Sequence, residues 1–267
     1  MFKTRSRGTC LNDCSGNWQQ ANSNTFTQFK NVPLNQNRDI FWLLAIALTT
    51  VALWQFPNGE FILYPFTILG TWFHEMGHGL TALLLGASFK HLQIFPNGSG
   101  IATHTSDVFF GRFGHALVAA GGPMGPPIAG AFFLRLSRNG RNAKYVLPCF
   151  SIALLLSVVF WVRSSFGIIA ILFIGGFFLL VSLRRPGRLQ KFMLQVLGVQ
   201  ACISTFKDFD YLLTPSGLIN GQKFLSDTSV IADNLFLPYW FWAIVIAAFS
   251  LMLLVHSLKA LSRTTTV

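Results

Sequence analysis

Residues Thr71 to Ala87 read TWFHEMGHGLTALLLGA. This stretch lies inside an apolar run that begins at Phe61, and it is oily enough to lie within a membrane. It nevertheless carries two histidines and a glutamate within five positions, His74, Glu75 and His78. Placing an ionisable side chain in hydrocarbon costs on the order of several kcal/mol, so such side chains usually serve a function where they occur. The stretch therefore predicts a membrane-embedded helix with a chemical task.

The composition of the whole chain supports a membrane fold. Of its 267 residues, 52% are hydrophobic, 28 are Phe and only 11% are charged. Apolar runs recur at about the twenty-residue length that a helix needs to cross a bilayer. We therefore predict an all-α polytopic membrane protein with six to seven transmembrane helices. The predicted segments are Ile40 to Phe56, Phe61 to Ala87, Phe113 to Leu134, Tyr145 to Val162, Phe166 to Leu183, Gln190 to Phe206 and Leu235 to Val255.

Two of these segments leave the number of spans open. The first is short, and the sixth is interrupted by Gln190, Lys191, Gln195 and Gln200. Either segment is re-entrant, or it packs wholly against other helices that satisfy its polar groups.

The domain organisation follows the same pattern of hydropathy. Residues 1–39 are polar and have no apolar core after their first basic residues, which argues against a cleaved signal peptide. We predict a polar N-terminal tail over residues 1–39 and a membrane-embedded domain over residues 40–261. In a bacterium this domain would lie in the cell membrane.

The net charge of +11 does not indicate a nucleic-acid-binding protein. The basic residues flank apolar segments instead of forming one continuous patch, which favours phospholipid headgroups as their partner. Two such clusters are Arg135, Arg138, Arg141 and Lys144, and Arg184, Arg185, Arg188 and Lys191.

The spacing of the polar residues in the opening stretch is typical of a zinc site. On a helix, His74 and His78 project from one face and can occupy two adjacent positions of a tetrahedral zinc ion. Glu75 is rotated from His74 by about 100°, which places its carboxylate beside the open position of the metal. There it can act as a general base. His-Glu-x-x-His is the signature of many zinc proteases.

A zinc site of this kind needs a third protein ligand. The best candidate is Asp208, which stands in STFKDFDYLL at the end of the sixth apolar segment and needs either Lys207 or a metal as a partner. Asp210 is the second candidate and Asp227 the third.

The segment FKHLQIFPNGSGIATHTSDVFF, between the second and third apolar segments, predicts a β-hairpin. A free strand edge beside the site would hold an extended substrate peptide by main-chain hydrogen bonds. The alternative is a connecting hairpin on the membrane surface. We expect His91, His104 and His115 to be polar surface residues.

Glycines and prolines near the site favour close approach of the backbone. Gly77 and Gly79 leave the helix beside His78 bare, either for a substrate or for an ordinary helix contact. The stretch AAGGPMGPPIAGAFF, from Ala119 to Phe133, is expected to break the third helix beside a cavity, with close helix packing as the alternative.

Taken together, the chain resembles the site-2 protease family of intramembrane zinc metalloproteases, and most closely its M50B-like branch. HEMGH, GGPMGPP about fifty residues later, FPNGSG, FKDFDYL and SDT (Ser226 to Thr228) carry the resemblance, which covers Trp72 to Ala243. Two departures are Pro127, where the wider family has Asn, and Phe209, which follows Asp208 in place of Gly.

The resemblance implies one zinc ion held by His74, His78 and Asp208, with Glu75 as general base. It also implies hydrolysis of peptide bonds in transmembrane or membrane-associated protein substrates, as in regulated intramembrane proteolysis. Two alternatives remain open at this point. The first is a non-proteolytic membrane protein with a structural or metal-handling zinc site, and the second is a metal or proton transporter.

Overall fold

Each of the seven apolar segments predicted from the sequence forms a helix in the computed structural model. The structure describes residues 36–56, 58–138, 140–184, 187–219 and 222–262, so nearly all of the predicted tail lies outside the described residues. In chain order the elements are α1 Gln36–Leu53, α2 Gly59–Leu84, β1 Phe89–Ile94, β2 Gly100–His104, α3 Arg112–Leu136, α4 Gly140–Phe160, α5 Ser165–Arg184, α6 Arg188–Lys207, α7 Phe209–Leu212, β3 Ser216–Ile219, β4 Gln222–Leu225, α8 Asp227–Asn234 and α9 Tyr239–Ser262.

Within the described residues, four helices are long and apolar enough to cross a membrane: Arg112–Leu136, Asn142–Phe160, Ser165–Arg184 and Tyr239–Leu261. Large apolar side chains on α5 face outwards, with Phe173 78% and Leu183 73% exposed. Extended apolar surface of this kind is typical of contact with lipid. The predicted helical membrane fold is confirmed at this level, whereas the count of six to seven spans stays a prediction.

The polar helix α6 packs against other helices of the bundle. Its side chains Gln190, Gln195 and Gln200 are all buried. The Gln190 side-chain amide donates to the carbonyl oxygen of Ser182 at 2.6 Å, and the Gln200 amide donates to the Thr50 hydroxyl at 2.6 Å. Gln190 and Gln200 therefore join α6 to α5 and α1, as the second of the two interpretations of this segment expects, whereas Oε1 of Gln190 and Nε2 of Gln195 have no hydrogen-bond partner among the described residues.

The backbones of α2 and α3 are in direct contact. A Cβ atom on Gly77 would lie 2.2 Å from the carbonyl oxygen of Gly121, and one on Gly125 would lie 2.6 Å from that of Phe73. Only glycine permits so close an approach. Gly77 therefore serves a helix contact, whereas Gly79 faces the ring of Phe89, 2.3 Å from an added Cβ.

The expected break in the third helix is wrong, because α3 continues through Pro123, Pro126 and Pro127. Pro127 has no N–H to donate to the carbonyl oxygen of Pro123. The hydroxyl of Thr205 donates to that oxygen instead, at 3.3 Å. Contact with α6 thus supplies a hydrogen bond that the proline removes, and the alternative of close helix packing describes α3 correctly.

The predicted hairpin is present as the antiparallel pair β1 and β2, with Leu92 opposite Ala102. The outer edge of β1 is occupied, because the Leu92 amide donates to the Trp161 carbonyl and the Arg163 amide donates to the Leu92 carbonyl, both at 2.9 Å. The outer edge of β2 faces the histidines of α2 across a cavity. The hairpin is therefore anchored to the end of α4 on one side only.

A second hairpin, β3 with β4, lies between α7 and α8 and was not predicted from the sequence. Ile219 pairs with Gln222, so two residues join the strands. The Asn220-Gly221 dipeptide at that place is a strong sequence signal for a two-residue hairpin turn. This hairpin carries the chain back from α7 to the start of α8.

Candidate metal centre

Three side chains that can bind a metal converge where α2 meets the start of α8. The Nε2 atom of His74 lies 3.1 Å from Nε2 of His78 and 3.0 Å from Oδ2 of Asp227, and His78 Nε2 lies 3.3 Å from Asp227 Oδ1. Among the described residues, these three form the only group of histidine, cysteine or acidic side chains close enough to share a metal ion. The spacing of four residues on α2 produces the histidine pair, as predicted.

The tautomer of His78 suits metal binding. Its Nδ1 atom lies 2.8 Å from the carbonyl oxygen of Val118 on α3. Because a carbonyl oxygen only accepts, Nδ1 carries the proton, and Nε2 of the neutral ring keeps its lone pair for a metal. Metal-binding histidines are commonly oriented in this way by a second hydrogen bond.

Two aromatic neighbours hold the histidine face of α2 in place. Trp72 donates through Nε1 to the hydroxyl of Ser157 at 2.9 Å. Phe73 stacks on Phe150 with their ring centroids 5.5 Å apart. Both contacts join α2 to α4, so the face that carries the histidines is turned towards α3 and α8.

A buried network of hydroxyl groups positions Asp227. Ser226 caps α8 by accepting a hydrogen bond from the amide of Ser229, and it also lies 3.1 Å from the hydroxyl of Thr228. Thr228 donates to the carbonyl oxygen of Leu212 at 2.6 Å. Serine at the N-cap and aspartate in the first turn are both favourable at a helix N-terminus. The start of α8 is thereby held in a position from which the Asp227 carboxylate faces α2.

The three side chains fit a zinc ion. Ligand atoms about 2.0 to 2.1 Å from a tetrahedral metal lie about 3.3 Å from one another, close to the separations observed here. Oδ2 of Asp227 is buried, and among the described residues it has no hydrogen-bond partner besides the adjacent imidazole of His74. A Cβ atom on Gly122 would lie 2.1 Å from His78 Nε2 and 2.8 Å from His74 Nε2, so glycine keeps the space beside the nitrogens open.

The electrostatics at Asp227 agree with this arrangement. Burial raises the pKa of the Asp227 carboxyl, but the adjacent His78 and His74 outweigh burial and hold this pKa below its usual range. The carboxylate is therefore ionised, which is the form that binds a metal.

Glu75 lies next to the three ligands and under the β1–β2 hairpin. Its side chain is only 6% exposed. The backbone amide of Ala102 lies beside its carboxylate, and a Cβ atom on Gly100 would lie 2.8 Å from its Oε1 atom. The free edge of β2 thus sits directly against the predicted general base.

Two cavities meet at the site. The larger has a volume of about 340 Å³ and lies between β2, α3, β4 and α8. The smaller has a volume of about 210 Å³ and is lined by Gly98 and Ser99 of the first hairpin turn, by Asp208 and by Gly217. His74, Glu75, Gly100 and Tyr211 line both cavities.

The structure does not bring the preferred aspartate to the histidines. Asp208 follows the last residue of α6 and faces the smaller cavity, outside the group of three ligand atoms, and Asp210 is exposed. Lys207 donates to the hydroxyl of Thr67 at 3.0 Å. The geometry favours Asp227, which the sequence ranked third, because the β3–β4 hairpin returns the chain so that α8 begins at the site.

Three residues at the larger cavity were not predicted to belong to the site. His104 and His115, which we expected to be polar surface residues, are half-buried and line this cavity. The third is Tyr211, whose hydroxyl pKa is raised by burial and further by Asp227 and Glu75. Of these three residues, only His104 could have been found from the sequence. It lies on the predicted strand β2, and one face of a strand beside the motif is turned towards the motif.

Comparison with known proteins agrees with this geometry. Residues 43–257 match the family model described as Peptidase M50B-like. The chain belongs to this family. The resemblance identified from the sequence is thereby confirmed, and it places the protein among membrane metalloproteases at the level of the family. With four helices able to cross a membrane, this member of the M50B-like family is a multi-pass integral membrane protein. No curated protein and no solved structure gives a significant match.

Proposed function

We propose that the protein is a zinc metalloendopeptidase that hydrolyses peptide bonds of transmembrane or membrane-associated protein substrates. The observation that carries this proposal is the convergence of His74, His78 and Asp227 beside Glu75, in a cavity bounded by a free strand edge. A structural zinc site requires neither the glutamate nor the open cavity.

In this proposal the metal would be held by His74, His78 and Asp227, with Asp227 in place of Asp208. A bound zinc ion supplies a Lewis acid that polarises a carbonyl group and makes water more acidic. The hydrogen bond from His78 to Val118 and the buried hydroxyl network around Asp227 keep these ligands oriented before any metal arrives.

Glu75 would move the proton. Its carboxylate accepts a proton from the attacking water and later delivers it to the leaving amine. The Glu75 side chain lies against Gly100 of β2 and lines both cavities. The buried setting favours both steps, because a carboxylate in a site with little water exchanges its proton with the substrate and not with bulk solvent.

The outer edge of β2 would hold the substrate. A peptide bond within a helix is shielded from attack, so a substrate must be extended at the cleavage point. Because the outer edge of β1 is already paired with Trp161 and Arg163, strand addition is directed to β2. An added strand there would lie beside Glu75 and the three ligands.

The test compares Glu75→Gln with Glu60→Gln in the full chain purified in detergent. These are the two glutamates of the protein, and both lie on α2, but Glu60 is exposed and distant from the site. Zinc content is measured by elemental analysis, and cleavage is measured on a model transmembrane peptide.

We expect Glu75→Gln to retain zinc and lose cleavage, while Glu60→Gln retains both. Cleavage that persists in Glu75→Gln would exclude the proposed mechanism. Zinc binding by a wild-type protein that cleaves no membrane substrate would favour a structural or metal-handling site instead.

A further inference from the structure

Tyr211 lines both of the cavities at the site. It stands on α7, next to the end of α6. Of the four residues that line both cavities, two belong to the zinc-protease motif and Gly100 belongs to the strand edge. Tyr211 is the fourth, and the proposed mechanism so far gives it no role.

The turn that carries Tyr211 is firmly held. The carbonyl oxygen of its neighbour Leu212 accepts a hydrogen bond from Thr228 at 2.6 Å, and Leu212 itself is 1% exposed. The Tyr211 ring lies beside Gly217 of β3, 3.4 Å from the place that a Cβ atom on this glycine would occupy. A side chain packed in this way keeps one position, which a group that stabilises a transition state requires.

The hydroxyl group of Tyr211 lies near the candidate metal ligands. It is within electrostatic reach of the backbone amide of Asp227 and of the carboxylates of Asp227, Glu75 and Asp208. A tyrosine hydroxyl carries its proton at neutral pH and can therefore donate a hydrogen bond. His104 and His115 line the larger cavity alone, and His104 uses Nδ1 to donate to the Thr105 carbonyl oxygen.

We propose that the Tyr211 hydroxyl is a further catalytic group, which donates a hydrogen bond to the carbonyl oxygen of the scissile peptide as that oxygen becomes negative. This inference rests on the proposed peptidase function. Attack of water forms a C–O bond, and the electron pair of the carbonyl π bond moves to the oxygen that Tyr211 contacts. Collapse restores the carbonyl and breaks the C–N bond, and the amine leaves with the proton that Glu75 accepted. Tyr211 keeps its own proton throughout.

The variant Tyr211→Phe tests the inference, because it keeps the ring against Gly217 and removes only the hydroxyl. Loss of one donor to an oxyanion lowers kcat by about 100-fold or more. We expect this loss in kcat with KM changed less than about threefold and zinc content unchanged, because the interaction exists mainly in the transition state. Tyr145→Phe is the matched control, since Tyr145 lies on α4 with 61% of its surface exposed.

A second readout does not depend on turnover. A phosphinic peptide resembles the tetrahedral intermediate, so its affinity should fall in Tyr211→Phe by a factor similar to that in kcat. The affinity of an uncleaved substrate peptide, measured in Glu75→Gln with and without Tyr211→Phe, should not change.

Three results would overturn the inference. The first is an unchanged kcat in Tyr211→Phe. The second is loss of zinc, which would mean that Tyr211 acts through Asp227. The third is an equal loss of affinity for the phosphinic and the substrate peptide, which would mean ground-state binding. A wild-type protein that cleaves no membrane peptide would instead contradict the proposed function, and the inference would fall with it.

Discussion

His78 on α2 donates through Nδ1 to the carbonyl oxygen of Val118 on α3, at 2.8 Å. This bond makes α3 part of the metal centre although α3 contributes no ligand. The same helix brings Gly122 against the two Nε2 atoms. The geometry of the ligands is therefore set by the packing of α2 on α3 as well as by the motif itself.

The variant Gly122→Ala should lose zinc. Its methyl group would lie 2.1 Å from His78 Nε2, which is closer than Cβ atoms in real proteins approach another atom. The imidazole of His78 must therefore move away from its metal-binding position. We expect zinc affinity to fall by at least about 10- to 100-fold, the range found when groups that orient metal ligands are lost. Competition with a fluorescent zinc chelator measures the change.

Gly176→Ala is the control for this experiment, since a Cβ atom at Gly176 on α5 meets no other atom within 4 Å. It should bind zinc as the wild type does. Normal zinc affinity in Gly122→Ala would mean that the metal is not held by these nitrogens.

The identity of the third ligand can be tested with Asp227→Asn and Asp208→Asn. Asp227→Asn should reduce zinc affinity by more than about 100-fold, because an amide oxygen is neutral and a weaker ligand than a carboxylate. Asp208→Asn should retain zinc, since Asp208 lies outside the three-residue group. Zinc content and chelator competition report both. The reverse result would restore the ligand set implied by the sequence resemblance.

The variant Gly100→Ala should separate metal binding from catalysis. Its Cβ atom would lie 2.8 Å from Oε1 of Glu75 and would displace this carboxylate. We expect the rate of cleavage to fall by about 100-fold, the scale of a lost general base, with zinc content unchanged. Steady-state cleavage of a model peptide and elemental analysis provide the two readouts. Full activity would show that Glu75 does not act from the position it has under β2.

The hydroxyl network beneath Asp227 should contribute to stability. Thr228→Val leaves the buried carbonyl oxygen of Leu212 without its donor and should lower the free energy of unfolding by about 1 to 3 kcal/mol. Thr103→Val is the control, because the Thr103 hydroxyl makes no hydrogen bond within the described part of the chain. Thermal unfolding in detergent compares the two variants, and equal melting temperatures would contradict a structural role for Thr228.

Local spacing explains which parts of the molecule could be predicted from the sequence. A spacing of four residues on a helix brings His74 and His78 together independently of the rest of the chain. The FPNGSG turn between two alternating stretches predicts the first hairpin. These are short-range consequences of helix and turn geometry.

The remaining features depend on contacts between distant segments. Asp227 reaches the histidines because the unpredicted β3–β4 hairpin redirects the chain. No sequence pattern around Asp208 indicates that this side chain lies outside the group of ligands. Likewise α3 stays helical through its prolines because Thr205 on α6 donates to the carbonyl of Pro123. The hydrogen bond between the buried Gln200 side chain and Thr50 also joins two segments that are distant in the sequence. The residue types indicated that partners were needed, but not which ones.

The contact between the backbones of α2 and α3 also bears on how the molecule can move. Because no side chain separates Gly77 from Gly121, a shift of one helix displaces the other, and a large shift would pull the ligands apart. Elsewhere the packing is looser, and an apolar cavity of about 700 Å³ separates α5 from α2 and α6. We therefore expect motions that admit a substrate from the bilayer to be concentrated in α5, while α2 and α3 move together as one body.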